Sequence, residues 1–242
     1  MSRIFRPTRS SLDWKDLTAG GERHWKDGHS AKLLAESWDG CADFPPAIRA
    51  ALGASGDEAL AGARLLIGIP EWQVRLPGRG HASQNDLFCL AGLEQAGRNE
   101  LLVLMIEGKA REPFGPTVSE WLAGAGAGKR ERLKALTSLV GLESADGGEL
   151  GAVRYQLLHR TASALLTARE FAATRALVLV HAFGTPDRSF GDFARFTGLV
   201  GVPACRGAVV GPRGMAGVSA YFGWADDGSA EPMLSDSRMG DG

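Results

Sequence analysis

The chain predicts an α/β fold with a mixed central sheet flanked by helices and preceded by a helical part. Three observations carry this reading. Leu65-Leu66-Ile67-Gly68-Ile69 and Leu101-Leu102-Val103-Leu104-Met105-Ile106 are apolar runs of strand length, the second apolar on both faces as a central strand requires. From Lys129 to Glu170 the apolar positions switch to helical spacing. Ala176-Leu177-Val178-Leu179-Val180-His181 then returns to a β-rich run, so a strand–helix–strand crossover is expected.

Residues 1–60 read as helical and rich in tryptophan, with Trp14, Trp25 and Trp38. Ser30 is placed to cap a short helix from Ala31 to Trp38. Pro45-Pro46 opens another through Leu52, because a fixed φ suits a first helical turn. Leu65 to Ile69 then reads as a strand ended by Pro70. Gln73-Val74-Arg75-Leu76 alternates in period two and reads as the next, ended by Pro77-Gly78. Asp86 to Ala91 and Leu101 to Glu107 are two further strands joined by the polar turn Glu94 to Asn99.

Lys129 to Val140 is a helix with Leu133, Leu136 and Val140 at helical spacing, surrounded by Lys129, Arg130, Arg132 and Lys134. Arg154 to Glu170 is a longer one. Ala208 to Val210 and Val218 to Phe222 are glycine-rich strand candidates, and the polar, acidic stretch from Ala225 to Gly242 reads as a disordered tail. The expected division is a helical part over 1–60, an α/β core over 61–224 and a tail over 225–242.

A length of 242 residues is enough to bury one sizeable core. Lysine and arginine total 27 against 28 aspartates and glutamates, so a nucleic-acid surface would have to be a local patch. Cys41, Cys89 and Cys205 are widely spaced and odd in number, which predicts buried thiols in a reducing compartment and no disulfide framework. With no apolar leader and no run of membrane-spanning length, a cytoplasmic location is expected.

The chemistry concentrates at strand ends. Asp86 lies in Ser83-Gln84-Asn85-Asp86-Leu87-Phe88, and Glu107-Gly108-Lys109 closes the apolar run on the next strand. Glu107 and Lys109 share a face because the side-chain period is two, and Asp86 reaches the same point if the strands pair. Two carboxylates about 4 Å apart repel by roughly 4 kcal/mol at an effective dielectric near 20. A hard divalent cation removes that repulsion, and oxygen ligands suit magnesium or manganese. Lys109 would then orient or deprotonate a water. The competing reading is an ordinary ion pair between Lys109 and one acid at a solvated strand end.

Glu71, beside Pro70, is the candidate for a third acid, and Glu112 is a spare acid that either helps to bind metal or, the preferred reading, is exposed. On the long helix Gln156, His159, Arg160 and Ser163 form a polar stripe able to hold a phosphodiester backbone, beside an apolar stripe of Tyr155, Leu158, Ala162 and Leu165. The competing reading of that stripe is a solvated helix face. Arg111 to Pro116, with two prolines and a glycine, is a stiff loop at the mouth of the cleft. Gly124 to Lys129 fails as a phosphate loop, since Ala123 and Arg130 stand where glycine and serine or threonine are needed. Lys129 to Lys134 is then a basic helix start, facing nucleic acid or solvent. Ser83 near His81, or Ser163 near His159, lacks the glycine context of a nucleophile elbow.

These residues resemble the PD-(D/E)XK nuclease superfamily, the restriction-endonuclease-like fold. Asp86 matches the aspartate of its second core strand, Glu107-Gly108-Lys109 the (D/E)XK of the third, and the Gln156 helix the one that often adds a polar residue. The segments from Ser83 to Phe88, Glu107 to Val118 and Tyr155 to Ser163 look like those of an uncharacterised bacterial family, over roughly residues 25 to 200. Asn85 stands where proline is common, an extra helix follows Lys109, and Glu58 is the nearest candidate for the acid of a first core helix. The resemblance implies a restriction-endonuclease-like mixed sheet and a magnesium- or manganese-dependent phosphodiesterase. Its metal would sit on Asp86, Glu107, the Gly108 carbonyl and Glu71, with Asp86, Glu107 and Lys109 catalytic and Gln156, His159 and Arg160 on the substrate. The partner is then nucleic acid, DNA in preference to RNA, with no membrane and with a homodimer allowed. The alternative is a non-catalytic interaction module that keeps the fold and uses the same cleft for binding.

Overall fold

Arg64–Val74 (β1), Ser83–Gln95 (β2) and Arg98–Lys109 (β3) form an antiparallel meander in the computed structural model, which describes residues 8–18, 25–95 and 97–228. Arg175–Phe183 (β4) lies parallel to β3, and Val218–Asp227 (β6) parallel to β4. Ala208–Met215 (β5) closes the far edge antiparallel to β6, giving a six-stranded sheet of order β1-β2-β3-β4-β6-β5. The mixed central sheet expected from the sequence is therefore present. Its parallel step is the predicted crossover, made by Tyr155–Glu170.

The helices form a layer on each face. Ser11–Lys15 (α1), Ser30–Trp38 (α2), Pro46–Gly53 (α3) and Glu58–Ala61 (α4) precede β1. Val118–Leu122 (α5), Ala127–Val140 (α6), Gly147–Ala152 (α7) and Tyr155–Glu170 (α8) lie between β3 and β4, and Asp187–Leu199 (α9) follows β4. Strand alternation sorts the core. Phe88, Val103 and Met105 pack with Leu158 of α8 and Phe196 of α9 on one face, while Leu87, Leu104 and Ile106 pack with Leu34, Ile48 and Leu60 of α2 to α4 on the other. The N-terminal helical part is thus one wall of the sheet's own core.

Several boundaries differ from expectation. Pro70 does not end a strand: β1 runs through it, with Pro70 opposite Leu87, because β1 is an edge strand and a missing N–H costs nothing on the open side. The separate strand from Gln73 to Leu76 is accordingly the end of β1. Helix α2 includes Ser30, its cap position is His29, and no side chain caps it. Three helices, not one, separate Lys109 from α8. Strand β6 continues to Asp227, pairing Ala225, Asp226 and Asp227 with His181, Ala182 and Phe183, so the expected tail does not start at Ala225. The expected tail from 229 to 242 lies outside the described residues. Of the three free cysteines only Cys89 is buried; Cys41 and Cys205 are exposed. Among the described residues no helix is long and apolar enough to cross a membrane.

Candidate active site

Pairing of Leu87 with Ile106 fixes the register of β2 against β3. Asp86 then shares the α8 face with Phe88, and Glu107 and Lys109 share it with Met105. Gly108 points the other way, onto α2, where a Cβ would meet the Ser30 carbonyl and Leu34 at 3.4 Å. The middle residue of the acid–x–lysine is small because a helix lies against it.

The charged groups converge. Lys109 Nζ donates to Glu107 Oε1 at 2.8 Å, and Gln156 Nε2 donates to the same oxygen at 2.7 Å. Arg160 reaches across from α8: its Nε donates to Glu107 Oε2 at 2.6 Å and its Nη2 to Asp86 Oδ1 at 3.2 Å. Its Nη1 donates to Ser83 Oγ at 3.2 Å and to the Gln84 carbonyl. Asp86 Oδ2 accepts the Gly108 N–H at 3.0 Å. The sequence places Asp86, Glu107, Lys109, Gln156 and Arg160 at one point, and the structure brings all five together.

Glu71 joins them from β1. The ladder pairs Pro70 with Leu87 and Trp72 with Asn85, which leaves Glu71 facing Asp86 between them. Its φ of 54° is left-handed, a conformation that costs a residue with a Cβ about 1–2 kcal/mol. Gln84 Nε2 donates to its Oε2 at 2.6 Å. Burial, followed by the nearby Asp86 charge, pushes the Glu71 carboxyl up to about 8. Asp86 is also raised, by burial and then by Glu107, although its side chain is 27% exposed and cleft water limits the rise. Glu107 moves the other way. Burial would raise it, but Arg160 and Lys109 outweigh that and hold its carboxyl well below the usual range. Both cations are raised by the acids they face, against the opposing effect of burial.

The cluster is therefore three carboxylates against two cations, one positive charge short, and the upward shifts of Glu71 and Asp86 reflect that shortfall. That donor chemistry fits a hard divalent cation, which would supply the missing positive charge at Asp86 and Glu71. Glu107 fits less directly, since both its oxygens already have partners. Among the described residues, no group of three or more His, Cys, Asp or Glu stands ready as a ligand set.

The polar stripe of α8 is turned onto the sheet beside the carboxylates, with Gln156, His159 and Arg160 lining the cleft. His159 Nδ1 lies 2.9 Å from Ser83 Oγ, and burial lowers its imidazole to about 3, so it is neutral. Ser163 donates back to the His159 carbonyl at 2.8 Å. Arg160 is only 7% exposed and is committed to the acids. Of these three cleft-lining residues, Gln156 also reaches the mouth, where its Oε1 accepts the Gly115 N–H at 3.3 Å. The apolar stripe is buried as well, because α8 is wrapped by the sheet, α6 and α9.

Above the cluster opens a cleft of about 720 Å³. Asp86, Glu107 and Lys109 line its floor, Glu112 and Pro113 its rim, and Trp121, Tyr155 and Arg132 another wall. Glu112 is half-buried rather than exposed, and its Oε1 accepts the Ala110 N–H at 3.4 Å. Glu58 caps the opposite end of the sheet beside Glu94 and Gln95, far from the cluster in the fold. Sequence reasoning missed Ser83 and Gln84 as supports for Arg160 and Glu71. Their position just before Asp86 was the available signal.

No curated protein and no solved structure matches the chain. A family model does, over residues 7–229, and the chain belongs to that family, described as a domain of unknown function, DUF6946.

Proposed function

We propose that the cleft is the active site of a magnesium- or manganese-dependent phosphodiesterase acting on nucleic acid, built on a restriction-endonuclease-like sheet. The observation that carries the reading is the convergence of Asp86, Glu107 and Lys109 from two neighbouring strands at the floor of an open cleft, with Glu71 opposite and fewer cations than carboxylates. The order meander, helix, parallel strand supports it too, since it sets the acid-bearing ends of β2 and β3 side by side.

In this reading Asp86, Glu71, Glu107 and the Gly108 carbonyl would hold the cation. A bound divalent ion supplies Lewis-acid polarisation of a phosphate oxygen. Lys109, held by Glu107 over the Phe114 ring at 4.9 Å, orients the attacking water. Gln156 bridges the Glu107 carboxylate to the Gly115 loop and fixes the mouth. The test is cleavage of labelled single- and double-stranded DNA and RNA under millimolar Mn²⁺. Activity that disappears in Asp86→Asn and Lys109→Met, with the folded state retained, supports the reading. Undiminished activity in both variants defeats it.

One observation favours a second reading, a binding module on the same fold. The Arg160 guanidinium bridges Asp86 and Glu107, as a metal would in the catalytic case. Absence of Mn²⁺ binding together with retained nucleic-acid binding would select this alternative.

A further inference from the structure

The cleft has a second wall that the carboxylate cluster does not use. Arg132 on α6 lines it and is only 7% exposed, yet its Nε–H is a buried donor without an acceptor. Nη1 donates to the His81 carbonyl at 2.8 Å. The loop that seats it passes so close that a Cβ at Gly80 would lie 3.0 Å from Arg132 Cζ, and one at Gly78 3.1 Å from its Cα. Both glycines have left-handed φ, 126° and 81°, so this approach depends on residues without a side chain. Two more cations line the same wall. Arg79 is exposed and packs over Gly128, and Lys129 is held by the Trp121 carbonyl at 2.8 Å. Among the described residues none of the three is within ion-pair distance of a carboxylate. Helix α6 also starts here, with Gly126 as its cap, no capping side chain and no acid in its first turn.

A guanidinium this deeply buried without a counter-ion is costly, and a planar fork beside two exposed cations and uncapped helix amides matches phosphate oxygens. We propose that Arg132, Arg79 and Lys129 form a phosphate subsite, which holds a phosphate of the substrate strand next to the one presented to Asp86, Glu107 and Lys109. The inference rests on reading the cleft as a phosphodiester site and adds the path of the strand across it. One end of the cleft takes the reacting phosphate, and the other takes a neighbour.

The test is fluorescence anisotropy of a labelled short single-stranded oligonucleotide, with and without a terminal phosphate, in EDTA so that no metal chemistry is needed. Arg132→Gln should weaken binding about tenfold, the usual scale of one charge-assisted contact, and flatten its salt dependence. The double variant Arg79→Gln, Lys129→Gln changes only exposed positions, so it decides the matter if Arg132→Gln does not fold. A loss limited to the phosphorylated strand assigns the subsite to a terminal monoester, and an equal loss on both strands assigns it to the backbone; either supports the subsite. Unchanged affinity in the variants, or no binding by the wild type, overturns it. Phosphate-dependent binding without Mn²⁺-dependent cleavage would defeat the catalytic reading alone. Cleavage with unchanged affinity in the variants would defeat the subsite alone.

Discussion

Arg160 and Glu107 face each other across the junction of α8 and β3, with Nε 2.6 Å from Oε2, and both side chains are almost completely buried. The same guanidinium holds Asp86 at 3.2 Å. One side chain therefore ties the crossover helix to two strands and offsets part of the negative charge they bring together. Removing a partner from such a pair leaves an uncompensated buried charge. Arg160→Met should lose about 3–5 kcal/mol in denaturant unfolding. Millimolar Mn²⁺ should restore part of that loss, because it supplies the missing positive charge. A loss below about 1 kcal/mol would mean that the bridge does not hold the fold.

The pH dependence follows from opposite shifts. Glu71, raised to about 8, and Asp86, also raised, bind protons in the folded chain that the unfolded chain has already released above its ordinary carboxylate pKa. Their stabilising contribution is full below that pKa and is lost as pH rises through the folded values. Glu107, depressed, contributes stability above its unfolded pKa and loses it as pH falls through its folded value. Glu71→Gln should therefore raise the Tm at pH 8.5 and leave it nearly unchanged at pH 5. Equal effects at both pH values would contradict the shift assigned to Glu71.

A buried histidine limits stability from the acid side. His181 Nδ1 accepts Trp38 Nε1–H at 3.2 Å, so its proton sits on Nε2, 3.2 Å from Asp227 Oδ2. Burial lowers it to about 4 although Asp227 pulls upward. A folded pKa below the unfolded value means that stability falls as pH drops from about 6.5 toward 4. Protonating Nδ1 also removes the acceptor for Trp38. Asp227→Ala should cost about 1 kcal/mol at pH 7, the scale of one hydrogen bond, measured by thermal unfolding. No change would remove β6 beyond Trp224 from the account of the fold.

The sheet was legible because its central strands β3 and β4 are apolar on both faces and its crossover helix is strongly periodic. Asp86, Glu107 and Lys109 were legible because period two fixes which residues share a face. Strand ends were not: Pro70 reads as a terminator unless β1 is known to be an edge, and Ala225 to Asp227 look like tail until His181 is seen to need Asp227. The role of Arg160 was hidden for the same reason. Spacing put it on a polar stripe, but only the tertiary placement of α8 turns that stripe inward. Arg132 read as one of several basic residues at a helix start, and the glycine loop that buries it lies about fifty residues earlier in the chain.

The central claim is that the Glu71–Asp86–Glu107 cluster lacks positive charge and accepts a divalent cation. Anomalous diffraction from a manganese-soaked crystal tests it most directly. The account predicts a peak bounded by Asp86 and Glu71, with Arg160 drawn off at least one oxygen of Glu107, and no peak in Asp86→Asn. An empty cluster at millimolar Mn²⁺, with the guanidinium still bridging both strands, would contradict it.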